Sequence, residues 1–106
     1  MPSKWRRFEV LIPLQWNDGQ EIPEELLGEA VFEILDQFSG VGFENLNVVG
    51  HWLHEGTVYR DNLSRIIVDV PDTAKNRKWM KQFKARWKRR LDQLEIWMVS
   101  YRIDIE

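Results

Sequence analysis

The chain has no cysteine, which removes disulfides, thiol nucleophiles and thiolate-bound zinc or iron–sulfur clusters at once. Long apolar runs are missing too: nothing approaches the ~18 consecutive apolar residues that a membrane-crossing helix needs. The opening MPSKWRRFEV is basic but lacks a following apolar core with a small-residue cleavage site, so no secretory leader is expected and a cytoplasmic location is. With 4 Pro and 6 Gly in 106 residues, no low-complexity or linker tract divides the chain. A Gly-rich phosphate loop, a GxSxG elbow and a DxDxDG calcium loop are all absent. The most local absence lies between Lys75 and Arg90, a segment with no Asp or Glu that holds nine of the fifteen Lys and Arg residues.

What is present describes one globular domain spanning 1–106. Hydrophobic residues make up 43% and charged residues 30%, a balance that supports a core and argues against disorder. Six Trp and five Phe supply large apolar area per residue. The formal charge of −2 conceals a polarised molecule, because outside 75–90 six basic residues face all seventeen acids, a balance of −11. Such polarity bears on partners and association rates rather than on fold.

Periodicity orders the elements. Phe8, Val10, Ile12 and Leu14 alternate with Trp5, Arg7, Glu9 and Leu11, which reads as a strand closed by the turn-forming Asn17-Asp18-Gly19. Pro23 suits a helix start, and Leu27, Val31, Ile34, Leu35 and Phe38 follow at helical spacing before Ser39-Gly40 stops it. A second strand over Leu46–Leu53 meets a third through Glu55-Gly56. Arg60-Asp61-Asn62 interrupts the third strand, as a bulge or as a loop running to Asn62. Asp72 or Thr73 caps a second helix bearing Met80, Phe83, Trp87, Leu91 and Leu94 on one face. A last strand over Glu95–Ile105 is expected to turn Trp97, Val99, Tyr101, Ile103 and Ile105 inward.

The order β-α-β-β-α-β resembles the ferredoxin-like superfold over the whole chain. That resemblance implies an α+β two-layer sandwich: a four-stranded antiparallel sheet in the order 4-1-3-2 with both helices on one face. It implies nothing specific about function, since the superfold hosts many activities. The phrase HWLHEGTVYRD before a valine-rich strand is similar to small bacterial proteins and carries no site with it.

Three features are candidates for function. The basic helix offers Lys78, Trp79, Lys81, Lys84, Lys88 and Arg89 to an anionic protein or ligand, with Trp79 off the apolar stripe and free to stack. Nucleic acid is not favoured, because the pI is about 5.7 and the strands lack the aromatic-basic signatures of an RRM. The hairpin gathers His51, His54, Glu55, Tyr59 and Asp61, groups suited to acid–base chemistry. HxxHE is not the HExxH zinc pattern, so no metal and no cofactor are expected and catalysis is the alternative reading. The sheet face away from the helices would show Trp5, Arg7, Leu11, Arg65, Ile67 and Met98, a surface apolar enough to join two copies. The reading that combines these features is a small binding or regulatory protein that self-associates through this face.

Overall fold

The structure, a computed structural model, describes residues 4–40 and 42–106, with the side chains of 42–52, 54 and 58–61 outside the description. Elements follow in the order β1 (Trp5–Pro13), α1 (Glu24–Phe38), β2 (Gly42–His54), β3 (Thr57–Pro71), α2 (Ala74–Arg90) and β4 (Met98–Ile103). β1 is the centre of the body, antiparallel to β3 from Trp5↔Pro71 to Pro13↔Leu63 and to β4 from Trp5↔Ile103 to Val10↔Met98.

Alternation along β1 and β3 decides which face is covered. Phe8, Val10 and Ile12 of β1 and Ile66, Val68 and Val70 of β3 are all buried, at 3% exposure or less. Ala30 and Ile34 from α1 and Met80, Phe83 and Trp87 from α2 complete the same core. Each fully buried large side chain contributes about 1.5–3 kcal/mol through area removed from water. The Trp87 indole N–H inside this core donates to Glu33 Oε2 of α1 at 2.7 Å, so a buried polar atom is satisfied and the two helices are joined.

The expectation of a ferredoxin-like sandwich on a four-stranded antiparallel sheet, order 4-1-3-2, is corrected. The sheet body that carries both helices is three antiparallel strands, β3-β1-β4, which is the order 2-1-3 when these three are counted along the chain. β2 adds to the outer edge of β3 alone, giving a backbone ladder β2-β3-β1-β4, with a shift in register between Glu44 and Asn47. The ladder with β1 begins at Leu63, so residues 57–61 pair only with β2 and the hairpin runs past the body as a two-stranded ribbon. A ribbon of two strands is marginal without further packing. The phase of the pattern around Arg60-Asp61-Asn62 is explained by this geometry: β3 is continuous from Thr57 to Pro71, and the irregularity lies in β2.

Boundaries moved for local reasons. α1 ends with Ser39, rather than Gly40, in the left-handed region at φ 59°, its N–H bonded to Leu35 O. α2 starts at its Thr73 cap, where Oγ1 accepts from Asn76 N at 3.1 Å, and stops at Arg90. Leu91 is buried and Leu94 is 57% exposed, so the apolar stripe of α2 ends one turn earlier than the spacing suggested. Glu55 and Gly56 both have positive φ, 49° and 79°, as a two-residue turn matched to strand twist requires.

Candidate functional site

The open face of the sheet is laid out in rows by strand register. Asp69, Arg7 and Tyr101 form one row, and Ile67, Glu9 and Val99 the next. Arg65 lies opposite Leu11, whose N–H reaches the Trp97 carbonyl at 2.9 Å. At the other end Trp5 stands between Pro71 and Ile103. Apolar groups are therefore interleaved with charged ones.

Every charge in these rows has a neighbour of opposite sign. Arg7 donates from Nε to Asp69 Oδ1 at 2.8 Å and from Nη2 to Oδ2 at 3.0 Å, a bidentate fork that fixes both planes. Asp69 thereby pushes the Arg7 guanidinium well above its ordinary pKa. Glu9 receives the Tyr101 hydroxyl proton in a hydrogen bond and lies 3.5 Å from Arg65 Nε. The Glu9 acceptor holds the Tyr101 phenol above its ordinary pKa, with desolvation adding to the effect. Among the described residues of these rows two cations are matched by two anions, and the apolar members Trp97 and Val99 are 65% and 36% exposed.

One strand is reversed relative to the sequence reading. Val10↔Met98 pairing places Met98 on the helix side, where it packs against the core, and Ile96 is 1% exposed. Met98 therefore leaves the expected dimer face, and Trp97, Val99, Tyr101 and Ile103 take it. A shift of one residue moves an entire strand's side chains across the sheet. The inward set includes Ser100 and Arg102, polar groups that alternation alone would send to solvent. The structure accommodates them in an ionic cluster at that end: Arg6 Nη1 donates to Ser100 Oγ at 3.0 Å, and Arg6, Arg77 and Arg102 surround Asp72 at 2.9, 2.5 and 3.2 Å. The Asp72 side chain is only 6% exposed, and the hydrogen bond from Arg6 is the chief cause of a pKa below the usual carboxylate value.

The basic helix is largely answered within the molecule. Arg86 meets Glu33 at 2.8 Å, Arg90 pairs with Glu29, and Lys84 and Lys88 approach Glu95 at 3.1 and 4.0 Å. Trp79 is not free to stack on an outside partner: it meets Phe38 edge-on at 5.1 Å and stacks on Phe83 at 5.7 Å, with the Arg86 guanidinium 5.6 Å from its ring. The helix spacing put Trp79 beside the apolar stripe, and the neighbouring helix widened that stripe to include it. Lys78, Lys81 and Arg89 remain on the exposed surface.

Of the hairpin candidates, Glu55 is exposed in the turn. The side chains of His51, His54, Tyr59 and Asp61 lie outside the described residues; the backbone register sets His51 opposite Arg60 and Tyr59 opposite Trp52. Among the described residues no three His, Asp or Glu side chains converge as metal ligands, and no helix is long and apolar enough to cross a membrane.

No family model and no curated protein matches the chain. Among solved structures it is similar to a phage SAM lyase in complex with S-methyl-5′-thioadenosine, with a TM-score of 0.68 over 100% of this chain and 93% of that one. Sequence identity is 12%, so the likeness establishes a shared α+β fold type and no more.

Proposed function

We propose that the chain is a cytoplasmic binding or regulatory protein that works as a homodimer joined through the open sheet face. The observation that carries this reading is the makeup of that face: Trp5, Leu11, Ile67, Trp97 and Val99 interleaved with Arg7–Asp69 and Arg65–Glu9 pairs. Charges matched in pairs, as Arg7–Asp69 and Arg65–Glu9 are, do not repel a second copy, and a two-fold contact lets the same patch meet itself. Lys78, Lys81 and Arg89, on the outer side of α2 and directed away from this interface, then provide the surface for an anionic partner.

Sedimentation over a range of concentrations tests the dimer. The wild type is expected to associate, and Ile67→Lys combined with Val99→Lys to remain monomeric with its thermal unfolding nearly unchanged. A wild-type chain that stays monomeric at the highest concentration would sink the proposal.

The full-length likeness to a phage SAM lyase supports a second reading, an enzyme of that kind. Incubating the protein with SAM and following S-methyl-5′-thioadenosine by chromatography separates the two. Product formation selects the enzyme, and no product above a protein-free control leaves the binding protein.

A further inference from the structure

Away from the sheet face, a groove of about 620 Å³ opens between the start of α1, the end of β1 and the middle of β3. This volume is in the range of sites for small organic ligands. Its apolar wall comes from Ile22, Leu27 and Val31, and its polar edge from the amides of Gln15 and Asn62. Asn62 Nδ2 is 3.4 Å from Gln15 Oε1, a contact that leaves the second Asn62 proton, its carbonyl and the Gln15 amide group to serve a ligand. Glu21 and Glu24 stand at the mouth, both exposed, and no Lys or Arg is among the described residues lining it. In a molecule with fifteen cationic side chains, the charges that the described residues bring to this concave surface are of one sign.

Gly28 adds an independent observation. It lies inside α1 and lines the groove, yet an added Cβ would meet nothing within 4 Å and its φ is not left-handed. Neither packing nor backbone geometry requires glycine there, although glycine costs a helix interior about 1 kcal/mol relative to alanine. The space beside Gly28 at the groove wall is open.

We propose that this groove binds a small organic cation: an apolar body against Ile22, Leu27 and Val31, its positive group at Glu21 and Glu24, and a hydrogen-bonding edge at Gln15 and Asn62. The site is independent of how the sheet face is covered.

Three probes that share an indole body test it, with full-length protein followed by NMR shift titration. Tryptamine is cationic, tryptophol neutral and indole-3-acetate anionic. Tryptamine is expected to shift the Ile22, Leu27 and Val31 methyl signals and to bind on the order of tenfold more tightly than indole-3-acetate, with tryptophol between them, as two exposed carboxylates allow. Glu21→Gln with Glu24→Gln should make the three affinities converge. Gly28→Leu should abolish binding while leaving thermal stability equal or higher, which separates a filled groove from an unfolded protein. Equal affinities in the wild type, shifts elsewhere than the groove, or undiminished binding by Gly28→Leu would overturn the site.

Discussion

The two faces of the sheet use similar residues to opposite ends. On the helix side Phe8, Val10, Ile66, Val68 and Val70 are covered almost completely. The charges admitted at its end, Arg6, Arg77 and Arg102, converge on an Asp72 that is 6% exposed. On the open side Ile67 and Leu11 are half-buried and Val99 and Trp97 exposed, while Arg7 and Asp69 pair at 38% and 30% exposure. Stability therefore resides on the covered side, and contact is available on the open one. A covered apolar group holds the fold, whereas an uncovered one of the same type only raises the cost of staying alone in water.

The largest break in this comparison is expected from the covered side. Phe83→Ala should cost about 3–5 kcal/mol, as a Phe-sized hole in a closed core does. Urea denaturation measures it, and a loss comparable to that of an open-face substitution would erase the distinction between the faces. Exchanging Val99 instead of Phe83 supplies that comparison, since surface substitutions away from special features stay within about 0.5 kcal/mol.

Asp72→Asn sharpens the ionic half. The Asp72 carboxylate has its pKa depressed below 3.8 mainly by the Arg6 hydrogen bond. Its contribution is therefore present above the ordinary carboxylate pKa and is lost as pH falls through the folded value. The melting temperature of the variant should be lower than that of the wild type at neutral pH, and the gap should close under acid. A gap independent of pH would show that Asp72 acts through packing rather than charge.

The smallest effect belongs to the open side at high pH. Tyr101 is raised above 10.0, first by its hydrogen bond to Glu9. A raised group contributes stability below the unfolded pKa and loses it as pH rises through the folded one. Tyr101→Phe should thus flatten the alkaline fall in melting temperature. Ultraviolet titration should show one phenol ionising above the ordinary range in the wild type and missing in the variant. An unchanged alkaline limb would detach Tyr101 from Glu9.

Much of the covered face was legible in the residues. Phe8, Val10 and Ile12 declare a two-residue period, and Met80, Phe83 and Trp87 a helical one, because burial on one side imposes that spacing. The pairing of basic α2 with acidic α1 was legible from composition, since Glu29 and Glu33 lie where Arg90 and Arg86 arrive. β4 was not. Trp97, Val99 and Tyr101 form the more apolar set, and local pattern assigns the more apolar set to the core. That rule lost because Ser100 and Arg102 find partners in Arg6 and Asp72, residues more than twenty-five positions away. Trp79 was misjudged for a related reason: its burial depends on Phe38 of the other helix. The groove lining likewise joins Gln15, Leu27 and Asn62, which no spacing rule connects.

The order of strands and helices, the two-sided character of β1 and β3, and the separation of acidic and basic helices could be read from the residues alone, because each follows from short-range periodicity and local charge. The phase of β4, the fate of Trp79, the three-stranded body with its hairpin edge, and the groove beside Gly28 emerge in the folded chain. Each of those depends on which distant residue supplies the partner for a polar group or the cover for an apolar one.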